Sequence, residues 1–193
     1  MVANKVPLTS VKELIAYAKA NPGKLSYASS GVGTLQHLAM ELFKDMTGTE
    51  IAHIPYKGAA GMINDILAGE VHVMFAALNS SLPHIQAGKM RAIALGDKVR
   101  NPILNVPTIN ETVPGFEAQF WFGLAAPAGT PDTIVQRLST EQRAILEMPD
   151  VRARLAAAGF DISPSTPAEM RARMAAESAR WEKVVKAARI TPE

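Results

Sequence analysis

Small polar residues cluster between positions 29 and 37 of this 193-residue chain. The cluster consists of Ser29, Ser30, Gly31, Gly33, Thr34 and His37. Hydroxyls and glycines let an anion come close to the backbone. The first amides of a helix have no internal partner and carry a partial positive charge. If a helix begins at this cluster, these residue types predict a binding site for a small carboxylate.

The flanking residues supply the strand and the helix that such a site needs. Residues 25–28 alternate large and small side chains, which is typical of a short strand. From Leu35 to Met46, apolar residues recur at helical spacing. The sequence therefore predicts a strand, a glycine turn and a helix start, in that order. An ordinary tight connection made of small residues is the simpler alternative for the turn.

Two phosphate-binding patterns do not fit this turn. Gly31-Val32-Gly33 resembles the start of a dinucleotide fingerprint, but Gln36 stands where the third glycine is needed. The Gly-Lys-Ser/Thr triplet of a P-loop occurs nowhere in the sequence. The sequence thus predicts no nucleotide site, and we expect no other cofactor.

His37 is expected at the third position of the helix, where its ring either donates to a bound carboxylate or lies partly exposed. With Ser29 or Ser30 as nucleophile and His37 as base, and Ser30 as the preferred nucleophile, the same residues would suit a small α/β hydrolase or transferase. The chain has no Gly-x-Ser-x-Gly elbow, and the sequence places no acidic residue to orient the imidazole. The enzyme alternative therefore has little support.

The other histidines do not form a metal-binding pattern. No two of them stand at the spacing of a helical ligand pair, so the sequence predicts no metal site. His53 and His72 lie on predicted strands, and we expect both to be hydrogen-bonded structural side chains.

Two further candidates, Tyr56 and Ala76, follow predicted strands. Ligands of parallel α/β sheets bind at the carboxyl ends of the strands. Tyr56 ends the strand predicted at residues 50–56, and Ala76 follows the strand predicted at residues 71–75. We therefore expect both near the ligand, with a plain surface position as the alternative for Tyr56.

Strands and helices alternate with short connections over the first half of the chain. This order predicts a parallel sheet covered by helices, an α/β fold. The strands are predicted at residues 25–28, 50–56, 71–75 and 91–95. The pattern loosens over the proline-containing residues 101–115. An apolar run at residues 116–127 then predicts another strand, and helices follow to about residue 188.

Composition excludes several classes of protein. The chain has no cysteine, which excludes disulfides, thiolate metal sites and a cysteine nucleophile. The formal net charge is only +2, without a basic cluster, so no nucleic-acid partner is predicted. No apolar run reaches the roughly 20 residues of a transmembrane helix, and the first residues show no signal peptide.

Several blocks of the sequence resemble the Bug-type periplasmic solute-binding proteins of tripartite tricarboxylate transporters. The blocks follow the order of the family and cover nearly the whole chain. They are Gly23-Lys24-Leu25-Ser26-Tyr27-Ala28-Ser29-Ser30-Gly31, His53-Ile54-Pro55-Tyr56-Lys57-Gly58, Leu82-Pro83-His84-Ile85-Gln86-Ala87-Gly88-Lys89, Val106-Pro107-Thr108, Pro114-Gly115-Phe116-Glu117, Trp121-Phe122-Gly123-Leu124 and Pro127-Ala128-Gly129-Thr130-Pro131.

The resemblance implies a periplasmic-binding-protein-like (type II) clamshell that closes on a small carboxylate without catalysis. It also implies a periplasmic location and membrane transporter subunits as partners. By analogy, residues 1–115 form the complete second α/β domain. Residues 116–193 are the returning strand and helices of a first domain whose N-terminal part is missing, so we expect a truncated chain. A fragment without activity is a further alternative.

This chain departs from the family pattern in two ways, and each departure leads to a further expectation. Family members often have an aspartate where this chain has Ala76, so the ligand groups accepted at that end should differ. A returning strand without its partners should also leave an apolar edge exposed from Phe116 to Ala126. Such edges pair with other chains, so we expect a homodimer or aggregation through this segment.

Overall fold

The computed structural model describes residues 1–191, which divide into two compact units. One unit contains Met1–Phe120 and the residues from Lys183 onward, and the other contains Trp121–Glu182. The predicted domain boundary after Gly115 lies a few residues before this division. The division also assigns residues 183–191 to the first unit.

A mixed five-stranded sheet forms the centre of the first unit. Its strands β1 to β5 span Val2–Ala3, Ser26–Ser29, Ala52–Pro55, Val73–Met74 and Met90–Arg91. Their order across the sheet is β3-β2-β4-β1-β5. β2 pairs in parallel with both β3 and β4, whereas β1 runs antiparallel to β4 and β5. The expectation of a parallel sheet is thus right for the three strands that precede the candidate site.

The antiparallel part of the sheet corrects the sequence prediction. β1 was not predicted, because two residues are too few to show an alternating pattern. The strand predicted at residues 91–95 is only Met90–Arg91, and Leu95 makes a single parallel bridge to Thr108. Gly96 follows directly. Its missing side chain leaves room for the ring of Phe75 and the carbonyl of Ala118.

Helices connect the strands and cover the sheet of the first unit. They are α1 at Val11–Ala20, α2 at Leu35–Thr47, α3 at Ala59–Ala68 and α4 at Leu78–Gln86. Ser10 caps α1 by accepting the Glu13 N–H at 3.2 Å, and Glu13 accepts the Thr9 N–H in return at 2.8 Å. The pair resembles a capping box, with Thr9 in place of Ser10 as the backbone donor to Glu13. A single 3-10 turn follows later, at Ile109–Glu111.

An apolar core holds these layers together. Its members are Ala28, Met62, Ile66, Val71, Met74 and Met90. Ile66 is wholly inaccessible to solvent and Met62 nearly so. Burial of whole apolar side chains of this size contributes about 1.5–3 kcal/mol each to stability.

β3 is the outer strand of the sheet on the side of the candidate site. The Ala52 N–H donates to the Leu25 carbonyl at 2.9 Å, and the Tyr56 N–H donates to the Ser29 carbonyl at 2.9 Å. These two bonds fix the register of β3 against β2.

The second unit contains two helices and most of a third. α5 spans Asp132–Glu147, α6 spans Pro149–Ala157, and α7 begins at Pro167 and continues to Ala187. The Trp121 indole N–H donates to Glu177 at 2.9 Å, and the Arg173 guanidinium lies 5.1 Å from the Trp121 ring centre. Within residues 1–191, none of the helices is both long enough and apolar enough to cross a membrane.

The apolar run at residues 116–127 is not a strand, which contradicts the prediction. Phe116 is buried, with its ring edge-on to Phe43 at 6.3 Å, and the Ala118 N–H donates to the Gly96 carbonyl at 2.9 Å. The segment is therefore fixed by packing and by the Gly96 bond rather than by a strand ladder. The exposed apolar stretch begins at Phe122, which is 68% exposed, and not at Phe116 as predicted. Pairing of two copies through this stretch stays a prediction.

Two phenylalanines of this segment provide a test of its packing. Phe116→Ala should lower the free energy of unfolding by about 3–5 kcal/mol, because it leaves a cavity beside Phe43. Phe122→Ala, the matched control, should cost less than about 1 kcal/mol because that ring is largely exposed. Urea unfolding of both variants measures the difference. Equal losses in the free energy of unfolding would contradict the difference in burial between the two rings.

Candidate functional site

Three parallel strands end at the same edge of the sheet, and a helix follows each of them. β2, β3 and β4 end at Ser29, Pro55 and Met74. The residues before α2, α3 and α4 are Thr34, Gly58 and Ala77. In the described chain, no side chain caps any of these three helix starts. The edge therefore gathers three sets of first-turn amides, which attract negative charge.

The predicted strand, turn and helix start are confirmed at the central position. β2 ends at Ser29, α2 begins at Leu35, and residues 30–34 form the turn between them. We call residues 29–34 the glycine loop. Gly31 has φ 144° and Gly33 has φ 76°, conformations that side chains rarely adopt. Glycine is thus required at both positions by the backbone.

Hydrogen bonds within the glycine loop use part of its polar groups. Ser29 Oγ accepts the Gly31 N–H at 3.3 Å, and Thr34 Oγ1 donates to the Gly31 carbonyl at 2.7 Å. Ser30 Oγ donates to Gln36 Oε1 at 3.2 Å. The Gly31 N–H is therefore satisfied inside the loop. The first turn of α2 keeps its amides without a side-chain cap.

His37 is buried at 7% exposure and accepts a hydrogen bond from the loop. The Gly33 N–H donates to His37 Nδ1 at 3.1 Å, and His37 Nε2 lies 4.0 Å from a Glu41 oxygen. Burial lowers the pKa of His37, although the nearby Glu41 carboxylate opposes the shift. Neither sequence-based alternative, a donor to the ligand or a partly exposed side chain, describes this buried acceptor.

A column of stacked rings joins His37 to the sheet. The His37 and His53 ring centres are 4.0 Å apart, and the His53 and Tyr27 centres are 4.7 Å apart. His53 Nε2 lies 2.7 Å from Ser29 Oγ. Burial lowers the pKa of His53 to about 4, and the neighbouring His37 ring adds to the shift. His53 is thus a hydrogen-bonded structural side chain, as predicted, and so is His72, which accepts the Ser26 N–H at 3.0 Å.

Charged side chains of α2 lie beside Tyr27 at the other end of the column. Tyr27 donates its hydroxyl hydrogen to Glu41 at 2.5 Å, and Lys44 donates to the same oxygen at 2.7 Å. Burial raises the pKa of Tyr27, and the bond to Glu41 adds to this. Burial also acts to raise the pKa of Glu41, but the bonds from Lys44 and Tyr27 outweigh it and leave that pKa below its usual value. Sequence reasoning missed these residues, although the Glu41 and Lys44 spacing on α2 would have pointed to an ion pair.

The enzyme alternative finds no supporting geometry. Ser30 bonds to Gln36, and the imidazole of His37 bonds to Gly33, so the two proposed catalytic residues are not paired. Two other serines lie beside histidines, Ser29 at His53 and Ser26 at His72. Ser29 has no solvent exposure, and His72 Nδ1 already accepts the Ser26 N–H.

Tyr56 and Ala76 follow the ends of β3 and β4, as expected, but both side chains already contact other parts of the protein. The Tyr56 hydroxyl donates to Asp65 at 2.6 Å, and burial together with this bond raises the pKa of Tyr56 to about 12. Ala76 is partly buried against the apolar core. In the part of the chain that the structure describes, no group of three His, Asp or Glu residues is arranged to hold a metal ion.

The lowered pKa of His53 makes stability depend on pH. The folded protein takes up this proton at about pH 4 and the unfolded chain near pH 6.5, so the stabilisation is complete above pH 6.5 and is lost as pH falls to 4. His53→Gln keeps a polar atom for Ser29 but does not titrate. We expect this variant to lose less stability than the parent chain between these pH values.

Urea unfolding at several pH values measures this difference. The buried amino group of Met1, whose pKa burial lowers to about 5, titrates in both proteins and cancels in the comparison. Parallel stability curves for the two proteins would rule out His53 as the source.

Comparisons of the sequence and of the structure with known proteins point to one family. The family model for the tripartite tricarboxylate transporter family receptor matches residues 1–190. The chain is 36% identical to BugT of Bordetella pertussis over 184 residues, which cover 94% of this chain and 56% of that protein. The chain spans about half the length of the curated relatives it matches.

Solved structures show the same fold. A structure of R. palustris Rpa4515 with adipate has a TM-score of 0.91 and 42% identity, covering 100% of this chain and 65% of that chain. The periplasmic binding protein BugD has a TM-score of 0.86 and 30% identity, covering 100% and 66%. MatC from Rhodopseudomonas palustris with bound malate has a TM-score of 0.84 and 28% identity, covering 95% and 65%.

These matches confirm the predicted periplasmic-binding-protein-like α/β fold. They also confirm the resemblance that the sequence blocks indicated. The chain belongs to the receptor family of the tripartite tricarboxylate transporters.

Proposed function

We propose that this chain is the solute-binding component of a tripartite tricarboxylate-type uptake system and binds a small carboxylate without catalysis. The observation that carries the proposal is the edge where β2, β3 and β4 end. Three helices begin there, and among the described residues none of them has a side-chain cap. Donors of this kind bind an anion without supplying a nucleophile or a base.

The glycine loop is the proposed ligand site at this edge. The amides at the start of α2 follow the loop directly and have no side-chain cap, and Gly33 of the loop is exposed. We include Ser29, Ser30, Gly31, Gly33, Thr34, His37, Tyr56 and Ala76 in the proposed site. Of these, Ser29 and His37 serve the site through side-chain bonds to the loop, and Tyr56 serves it through its N–H, which donates to the Ser29 carbonyl.

The relatives support the class of ligand and the location. Adipate and malate, both dicarboxylates, occupy two of the similar structures. A third is a periplasmic binding protein. We propose that this chain works in the periplasm and delivers its ligand to membrane subunits of the transporter. We also propose that residues 1–115 act as one complete domain and residues 116–193 as part of a second.

A charge placed at the start of α2 tests the proposed site. Thr34→Asp puts a carboxylate beside the first amides of α2, where it competes with a bound carboxylate. We expect adipate binding, measured by isothermal titration calorimetry, to weaken about tenfold or more, which corresponds to about 1.4 kcal/mol. Thr34→Asn has nearly the same shape as the Asp variant without the charge and is the matched control; it can cap the same amides but should weaken adipate binding less than Thr34→Asp does.

Two results would contradict the proposal. One is equal adipate affinity of the Asp and Asn variants at position 34. The other is binding of adipamide, the neutral diamide, as tight as that of adipate by the parent chain. Thermal unfolding of each variant checks that all of them are folded.

A further inference from the structure

The imidazole of His37 is bonded to the backbone of the glycine loop, not directed to a ligand. The Gly33 N–H points at His37 Nδ1 over 3.1 Å. A backbone N–H is always a donor, so Nδ1 must be the unprotonated, accepting nitrogen. His37 is therefore the neutral tautomer that carries its hydrogen on Nε2. A protonated ring could not make this bond, because both of its nitrogens would be donors.

Two bonds from Thr34 close a turn across Val32 and Gly33, because its N–H and Oγ1 donate to the Gly31 carbonyl at 3.4 and 2.7 Å. A side chain at position 33 would meet no atom within 4 Å, and the residue is exposed. Glycine adopts positive and negative φ with similar ease, so the peptide between Val32 and Gly33 can rotate inside this turn unless a further bond fixes it. The bond to His37 supplies that restraint at φ 76°.

The ring of His37 is itself held on several sides. His53 of β3 stacks on it at 4.0 Å, and His53 in turn lies 2.7 Å from Ser29 Oγ. The other titratable and charged groups that face the pair are Tyr27 of β2 and Glu41 and Lys44 of α2. Each histidine thus contacts one part of the glycine loop, His37 at Gly33 and His53 at Ser29.

We propose that His37 is a positioning residue for the glycine loop, which fixes the loop for the ligand by accepting the Gly33 N–H and does not itself touch the carboxylate. This inference rests on the proposed function, because the loop is taken as the ligand site. The fixed loop presents the amides of α2 in one arrangement, so less ordering is required when a ligand binds. His53 supports the same arrangement by stacking on the His37 ring.

Nuclear magnetic resonance tests the bond in the full chain without any ligand. In long-range 1H-15N spectra at pH 7.5, His37 should show an unprotonated Nδ1 and a protonated Nε2. The Gly33 amide signal should shift as His37 is protonated by acid. The opposite tautomer, or a Gly33 signal that ignores this titration, would overturn the inference.

Two variants separate positioning from general loss of structure. His37→Asn places its side-chain oxygen close to the position of Nδ1 and should keep adipate affinity within about threefold. His37→Gln extends past that position and leaves the Gly33 N–H without its acceptor. Loss of one hydrogen bond predicts adipate binding weaker by about 3- to 10-fold, measured by calorimetry. In His37→Asn the Gly33 amide signal should no longer respond to acid between pH 7.5 and 5.

The outcomes distinguish this inference from the proposed function. If the parent chain binds adipate and the Gln variant binds it equally well, the positioning role is wrong while the function stands. If no adipate binds to the parent chain, the proposed function fails, and the spectra alone then decide whether His37 holds Gly33. A Gln variant that is weak while the Asn variant equals the parent supports the inference.

Discussion

The parallel pairing of β2 with two neighbours is the constraint on which the rest of the site depends. Ser26–Ser29 pairs residue by residue with Ala52–Pro55 on one side, and Tyr27 and Ala28 pair with β4 on the other. Parallel strands must end at the same edge, so the turns that follow them open together. A chain with a formal net charge of only +2 thereby gains a local concentration of partial positive charge. Backbone direction, not side-chain charge, makes this edge attractive to anions.

The backbone N–H groups in the glycine loop and at the start of α2 fall into two sets, one bonded inside the protein and one without a side-chain cap. The N–H groups of Gly31 and Gly33 are satisfied inside the protein, by Ser29 and His37. These internal bonds fix a turn that would otherwise have many conformations, because it contains two glycines at positive φ. The amides at the start of α2 are left without a side-chain cap. The site thus combines a restrained turn with open donors, the arrangement that costs least to organise on binding.

Local signals predicted the local parts of this structure well. The helical spacing after Leu35 predicted α2 with the right start. The strand predicted at residues 116–127 failed, because an apolar run shows that residues are apolar but not what they pack against. The column of Tyr27, His37 and His53 could not be predicted from the sequence either. It joins residues on β2, α2 and β3, and only the sheet register brings them together.

The outer strand β3 also bears on how the protein avoids unwanted association. The N–H groups of Ala52 and Tyr56 point inward to β2. N–H direction alternates along a strand, so the backbone nitrogens of His53 and Pro55 face away from the sheet. Proline has no N–H, so the outward side of this four-residue strand offers a single donor to an approaching strand. The sheet margin next to the glycine loop is thereby a poor template for growth of the sheet by another molecule.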